Sequence, residues 1–426
     1  MAIIPIEKAF KRVQDVEKIS TRDLKSMKLR TSIEKGGRER MFILHDDNNI
    51  IFTPADDELS PILGKCTKAS SDMPPALIDW LGTYAEEIRW WQEGGKEELL
   101  NAESEASPDN SDGNEGVEGE QLETINGVAP LTVSEWGQGW PFNKYCKFNG
   151  KYSRAGCPSL AVGQLMYYWA NKGYKRGCTA TEEYTSNKGS YTYTVGAVSN
   201  YTYFDYKNII DGTPVSTKNI DAVSKLIRSV GRAMKTDYSP NGSSADWENI
   251  KTALVKSFKL TDSVTQYRQA SVGETKFRNK IILDLKKGWP VLMYGANASS
   301  NATGAHIWIC DGYDENTNKF RMNWGWFGNY DGWYDLTALH YYNNSGKRMF
   351  ELSFQRYALT GIHPSYILGD VNMDGRINMS DVTNVINTKI RGGYDARSDI
   401  NNDGVVDMQD VERITEIILN KDIFDE

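Results

Sequence analysis

Cys157 stands immediately before a proline, and residues 158–169 have helical spacing: Leu160, Gln164 and Tyr168 recur at i, i+4 and i+8 beside Ala161, Leu165 and Trp169. Proline is favoured at the first helical position, where its missing N–H has no intrahelical partner. The spacing therefore predicts a helix with Cys157 at its N-terminus and a mostly apolar face. Unpaired N–H groups and the positive end of the macrodipole at such a terminus stabilise a thiolate and lower the thiol pKa. A cysteine so placed is a candidate nucleophile. Read without a partner it is equally a small buried hydrophobe, so the choice turns on finding a base.

The chain has only four histidines: His45, His306, His340 and His363. His45 sits beside two aspartates in a turn and reads as solvated; His340 lies in a Tyr/Asn-rich loop and His363 precedes a proline, and neither of these two has a neighbouring orienting group. His306 opens the apolar run 305–313, which predicts a strand with His306, Trp308 and Cys310 on one face and Ile307 and Ile309 on the other. Cys310 is about 13 Å along that strand at roughly 3.3 Å per residue, too far to be the histidine's partner. If the next strand, 319–326, pairs with it as a hairpin, Asn323 is placed to accept from the imidazole N–H and fix its tautomer. Trp324 and Trp326 would keep water from that bond. A base needs such a third group to orient it.

The surrounding chain sets limits on what these residues serve. At 426 residues and net charge -8, it is too long for one ordinary core and too acidic for a nucleic-acid footprint. No run approaches the length of a membrane span. The N-terminus shows no basic stretch followed by an apolar one, so the protein is either cytoplasmic or a secreted one whose signal has been removed. The five cysteines, Cys66, Cys146, Cys157, Cys178 and Cys310, show no metal-site spacing and no disulfide framework. Residues 1–92 read as a small α+β unit, with a helix near 5–20, a hairpin at 41–44 and 50–53, and a helix starting at Pro74-Pro75. From Glu93 to Glu123 there are eleven acidic residues against the single Lys96. Such a segment buries too little to offset its ordering entropy and reads as a linker, a preferred site of nicking. The main domain follows at 125–364, helices first and an antiparallel sheet later, an α+β arrangement.

Taken together, several stretches resemble the streptopain-type papain-like cysteine peptidases. They are Gly156-Cys157 with its Ala/Gln-containing helix, Gly304-Ala305-His306, Asn323-Trp324-Gly325-Trp326-Phe327-Gly328, Trp136-Gly137-Gln138-Gly139-Trp140-Pro141-Phe142-Asn143 and Asp237-Tyr238-Ser239-Pro240. The resemblance implies a two-lobed papain-like fold with Cys157 as nucleophile, His306 as general base, Asn323 orienting the imidazole and Trp324 stacked over that pair. Gln138 would be the side-chain donor of an oxyanion hole beside the Cys157 N–H. Pro158-Ser159-Leu160 and Tyr294 depart from the family's pattern, which bears on subsites rather than on acyl transfer. Members carry an inhibitory N-terminal propeptide of similar length. Residues 1–92 are therefore expected to be propeptide, and 93–124 an activation linker cut autocatalytically between Glu93 and Val128.

The C-terminal segment, 365–426, holds an internal repeat 29 residues apart. Oxygen ligands fall at calcium-loop positions in Asp370, Asn372, Asp374, Asn378 and Asp381, and again in Asp399, Asn401, Asp403, Asp407 and Asp410. Position 7, a backbone carbonyl ligand, falls at Arg376 and Val405, and glycine stands at position 6 of each loop for the sharp turn. Each loop runs into one helix. Paired loops with only the exiting helix resemble a type I dockerin, an all-α module holding two structural Ca2+ ions. Its partner would be a cohesin domain of a scaffold, recognised through Met379, Ser380, Met408 and Gln409.

The expectation is thus a secreted zymogen of a cysteine endopeptidase that acts on protein substrates through a thioester acyl-enzyme. It would be attached to a scaffold outside the cell, with no nucleic-acid partner and no cofactor for catalysis. Two rivals remain: a transglutaminase- or amidase-like Cys–His acyl transferase, whose histidine is usually oriented by a carboxylate, and a catalytically silent scaffold-bound binding module.

Overall fold

The computed structural model describes residues 3–17, 27–95, 97, 127–338 and 354–421, apart from 149, 173, 189, 298–304, 365–367, 373–376, 396 and 402. Most of the expected linker lies outside the described residues, as do His340, Asp374 and Arg376.

The N-terminal segment begins with α1 (Ile6–Glu17), followed by β1 (Lys28–Lys35), β2 (Arg38–His45), β3 (Ile50–Pro54), β4 (Gly64–Cys66) and α2 (Pro75–Trp90). β2 and β3 form the expected hairpin, Leu44 opposite Ile51. Asp46 closes the turn by accepting from the Asn48 and Asn49 N–H groups, the side-chain-to-backbone bonding that makes aspartate a turn residue. The run 41–44 is apolar without a break because both of its faces are covered. Side chains alternate along a strand, so Phe42 and Leu44 join a small core with Ala9 and Val13 of α1. Met41 and Ile43 face the large core with Leu77, Trp80, Leu81 and Tyr84 of α2.

Residues 138–264 contribute β5 (Lys147–Phe148), β6 (Lys151–Tyr152), α3 (Cys157–Asn171), β7 (Tyr184–Lys188), β8 (Tyr191–Val195), α4 (Thr217–Ala233) and α5 (Trp247–Thr252). α3 is buried from Pro158 through Ala170, not along one face as its spacing predicts. Its run carries no charged residue, so it can serve as the central helix of its unit. The polar Ser159 within it meets Thr236, oxygen to oxygen at 3.3 Å. α4 packs against it and is capped by Ser216, whose hydroxyl accepts from the Asn219 N–H.

The chain then supplies β9 (Thr265–Arg268), α6 (Glu274–Lys286), β10 (Val291–Asn297), β11 (His306–Asp314), β12 (Lys319–Asn323), β13 (Gly332–Tyr334) and β14 (Phe354–Thr360). These strands and the N-terminal ones make a single ten-stranded sheet, in the order β1-β2-β3-β4-β13-β12-β11-β10-β14-β9, with antiparallel neighbours throughout. Last come α7 (Met379–Ile390) and α8 (Met408–Lys421), packed through Val382, Val385, Val411 and Ile414. Helices and a large antiparallel sheet agree with the expected α+β class.

The chain forms two units, Met1–Gly137 with Thr265–Gly361, and Gln138–Val264 with Ile362–Glu426. The N-terminal segment is joined to the first unit's remaining strands where β4 pairs with β13, Cys66 opposite Gly332 and Gly64 opposite Tyr334. The approach is close enough to demand glycine, since a Cβ on Gly332 would meet the Lys65 carbonyl oxygen at 2.2 Å and the Cys66 Cβ at 2.7 Å. Gly332→Ala should therefore push β4 off the sheet at a cost of about 1–3 kcal/mol, the usual scale of overpacking. The check is a lower urea midpoint with faster hydrogen exchange at the β4 amides; unchanged exchange would show that the seam tolerates a side chain.

Candidate active site

Cys157 begins α3 behind Gly156, whose φ of +90° lies in the left-handed region. A Cβ there would also press on Ser243, at 3.0 Å from its Cβ and 3.1 Å from its carbonyl oxygen, so glycine is required twice over. The strand-like residues before it are pinned on both sides. The Ala155 N–H donates to the Gln138 carbonyl at 2.9 Å and the Arg154 N–H to the Ser239 carbonyl at 3.0 Å. The Ser243 hydroxyl donates to the Arg154 carbonyl at 2.7 Å. Two of the sequence stretches singled out above, around Gln138 and 237–240, thus fasten the loop that presents the thiol.

Cys157 is half-buried, whereas Cys66, Cys146, Cys178 and Cys310 are buried. Burial pushes the Cys66, Cys146 and Cys178 thiols up to about 12 and Cys310 upward as well, which leaves them protonated and inert. Of the five, only Cys157 combines access with a helix N-terminus.

His306 opens β11 with its side chain sealed, the residue only 4% exposed. Its Nε2 lies 2.8 Å from the Trp324 carbonyl oxygen. A carbonyl can only accept, so Nε2 carries the proton. The ring stacks on Trp326 at 4.7 Å between centroids, with Trp308 at 6.0 Å and Trp324 at 6.3 Å. Removal from water within this aromatic shell lowers the imidazole to about 4, against the raising effect of the carbonyl, so it is neutral at neutral pH. Trp80 of α2 closes the shell from outside, its ring edge-on to Trp308 at 5.5 Å and to Trp324 at 5.9 Å.

Asn323 ends β12, and the expected β11–β12 hairpin forms with Asn323 opposite Ile309. Cross-strand partners share a face of the sheet. Because His306 lies an odd number of residues from Ile309, it takes the other face. The Asn323 amide donates to the Ser134 carbonyl at 2.8 Å and the Thr132 hydroxyl at 3.2 Å, and its oxygen accepts from the Gly325 N–H at 3.2 Å. Within this unit, then, the histidine is held by the backbone of Trp324 and the asparagine by 132–134. Three of these partners were not legible beforehand: a backbone acceptor leaves no trace in residue type, and Thr132 and Ser134 are ordinary residues until the chain lays them beside β12.

In the second calcium loop the oxygens are turned inward on the loop's own backbone. Asp399 accepts from the Asp403 and Gly404 N–H groups, and Asp410 from those of Ile400, Asn401 and Asp407. Gly404 has φ +85° at the sharp turn. Asp370, Asp381, Asp399 and Asp410 are all buried, an all-oxygen donor set suited to a hard cation such as calcium. Among the described residues no three His, Cys, Asp or Glu side chains converge as a closed metal site. No helix among them is long and apolar enough to cross a membrane.

The sequence model of the Peptidase C10 family matches residues 136–334, and that of the Dockerin type I domain matches residues 368–419. The thiol protease/hemagglutinin PrtT of Porphyromonas gingivalis is 25% identical over 316 residues, covering 69% of this chain and 33% of its own length. Streptopain of Streptococcus pyogenes is 29% identical over 200 residues, which is 45% of this chain and 48% of its own length. This chain thus spans between about a third and a half of those relatives. In fold it is similar to a solved fragment of prointerpain A from Prevotella intermedia, at a TM-score of 0.59 and 20% identity over 80% of this chain and 99% of that one. Residues 136–334 are thus similar to the Peptidase C10 family, and residues 368–419 to the type I dockerin domain.

Proposed function

We propose that the protein is the latent form of a cysteine endopeptidase that is freed by removal of residues 1–92 and delivered to a scaffold by its dockerin. The Cys157 thiolate attacks a peptide carbonyl, and His306 protonates the leaving amine to leave a thioester. Water, deprotonated by His306, then releases the acid and restores the thiol. The Cys157 N–H and the Gln138 side chain are the donors for the tetrahedral oxyanion. Asn323 orients the imidazole once it is free, with Trp324 beside the pair.

The observation that carries the latent reading is the placement of His306, neutral, bound to the Trp324 carbonyl, and on the opposite sheet face from Asn323. To meet Asn323 it must leave that carbonyl, and α2 stands behind it. α2 is held by more than apolar burial. Glu87 pairs with Arg356 at 3.5 Å, both fully buried, and Arg356 lies over the Trp80 ring at 4.8 Å. Arg356 is itself one strand beyond Gly295, which pairs with His306 on its other side. The matched region stops well short of residues 1–92, which suits a removable segment, with 93–124 as the linker cut during maturation and 125–364 as the peptidase.

The dockerin would occupy 365–426 and hold two Ca2+ ions through Asp370, Asn372, Asp374, Asn378, Asp381 and the Arg376 carbonyl, and through Asp399, Asn401, Asp403, Asp407, Asp410 and the Val405 carbonyl. Bound calcium would supply the charge that orders those carboxylates. Met379 and Met408 are exposed at the helix starts, beside Ser380 and Gln409, as a cohesin-facing surface outside the cell.

Cys157→Ala should abolish both peptide hydrolysis and cutting within 93–127, read by N-terminal sequencing of the purified chain; processing of that variant in pure form would show that the cut is not its own. Glu87→Gln leaves the Arg356 cation buried without its counter-charge, a loss of about 3–5 kcal/mol. It should mature several-fold faster in a time course, and an unchanged rate would remove α2 from the latch. Stripping calcium with a chelator should abolish cohesin binding while leaving the peptidase rate within about twofold, since the oxygen loops only order the module.

A further inference from the structure

Asp331 lies in the turn before β13, and its carboxylate reaches the backbone of the residue that holds the latent histidine. Oδ1 accepts from the Trp324 N–H at 2.8 Å, and the carbonyl of that same residue accepts from His306 at 2.8 Å. Asn323, the preceding residue, is tied through Thr132 to Asp311. Arg321 joins the two acids. Its Nη1 donates to both Asp311 oxygens at 3.0 and 2.8 Å, while Nη2 stands 3.8 Å from Asp331 Oδ2. One arginine thus serves two carboxylates, and Asp331, its side chain 7% exposed, has the longer share. All of these residues belong to the first unit.

The charged and titratable groups around Asp331 come from every element packed on it: Arg321 from β12, Asp311 from β11, Glu135 from the segment before 137, and Cys66 from β4. Glu135 is itself paired with Lys68 at 2.7 Å. Burial first, then Asp311 and Glu135, push the Asp331 carboxyl up to about 7, against the opposing effects of Arg321 and the Trp324 N–H.

We propose that Asp331 is a positioning residue for His306, its bond to the Trp324 N–H fixing the backbone that carries the carbonyl on which the imidazole is held. An N–H bonded to a carboxylate makes a shorter and stronger bond than one bonded to a neutral acid. The Trp324 N–H and carbonyl belong to successive peptide groups, so the coupling is one of position: an ionised Asp331 grips the N–H more tightly and steadies the carbonyl that holds the His306 Nε2–H, and a protonated Asp331 relaxes it. In linkage terms the raised carboxyl contributes stability that is complete below about 4 and lost as pH rises through about 7. Ionisation thus weakens the latent fold as a whole while strengthening this one bond. The consequence for catalysis rests on the reading of His306 as the general base, but the coupling does not.

The experiment exploits the low pKa of the histidine. Held at about 4, His306 stays neutral from about pH 6 to 8, so a change in its ring resonances there reports on a neighbour and not on itself. The full chain carrying Cys157→Ala, which keeps it latent, is labelled with nitrogen-15 histidine and tryptophan and titrated by NMR. The expected result is a downfield step of the His306 Nε2 proton as pH rises, with its midpoint near 7 and matched by the Trp324 amide proton. Asp331→Asn, still able to accept from that amide but without a charge to gain, should abolish both steps. His306 resonances that stay flat while the Trp324 amide titrates would overturn the proposal, as would the same step persisting in Asp331→Asn. If that variant does not fold, the titration of the Asp331 chain alone decides between a step and a flat line. The base reading is tested apart, by His306→Ala in the chain with Cys157 intact: retained peptide hydrolysis would sink that reading and leave the coupling untouched.

Discussion

The hydrogen bond from His306 to the Trp324 carbonyl, closed off by tryptophan rings, is the constraint on which the first unit turns. An imidazole among Trp308, Trp324 and Trp326 has lost its water, and a single backbone acceptor is what it has in exchange. Burial of a polar group is tolerated only when it is bonded, so the carbonyl fixes both where the ring lies and which nitrogen is protonated. The N–H of the same residue is held by Asp331, and the ring shell is closed by Trp80 from α2. On the proposed reading, a base in this position is not slowed by a low pKa alone; it is pointed at an acceptor that cannot take part in chemistry.

The same arrangement explains why the N-terminal segment belongs to the sheet and is not a loose cover. β4 extends the sheet at β13, and α2 packs on the face that carries His306. Trp80 donates to the Tyr84 hydroxyl at 2.9 Å, and Tyr84 donates onward to the Asp335 carbonyl just past β13. The helix therefore grips the last strand of the seam and the aromatic shell at once. Every apolar side chain on its inner face has a partner in the large core, and its charged Glu87 is matched by the buried Arg356. Apolar burial supplies the affinity, and the ion pair sets the register, since a shift by one turn would strand both charges.

Much of this was legible in the sequence because it obeys local rules. Pro158 behind Cys157, Pro74-Pro75 before α2 and Asp46 in its turn each act through the backbone within a few residues. Strand alternation put His306, Trp308 and Cys310 on one face, and the β11–β12 hairpin follows from two short apolar runs with a polar turn between them. What escaped is long-range. The register that sets Asn323 against Ile309 depends on an irregularity between Cys310 and Gly312. The spacing of Leu160, Gln164 and Tyr168 beside Ala161, Leu165 and Trp169 marks only one face of α3, yet its whole surface is covered. β1 and β4 carry too little apolar pattern to be read alone and exist because neighbours complete them. The Asp311–Arg321–Asp331 cluster is invisible to spacing, since a charge pair in a strand reads as a solvated face until both sides are known to be buried.

On the proposed reading, cutting the linker would not by itself free the histidine. After a cut within 93–127, the N-terminal segment still holds its β4–β13 pairing, the Trp80 contacts and the Glu87–Arg356 pair. Losing a buried tryptophan's packing costs about 3–5 kcal/mol, and separating a buried ion pair costs a similar amount. Against a typical total stability of about 5–15 kcal/mol, each is a large fraction, so dissociation must be slow unless the released segment is further degraded or is unstable alone. Alone it is a four-stranded patch with two helices whose inner face, Met41, Ile43, Leu77, Trp80, Leu81 and Tyr84, has lost its cover. A domain of that size buries a small fraction of its surface and with one face stripped buries less. The cut converts an intramolecular contact, renewed each time it opens, into a bimolecular one that dilution and proteolysis of the freed segment make irreversible. On that reading latency lies in the packing of α2, and the linker would decide only whether the segment, once it opens, returns.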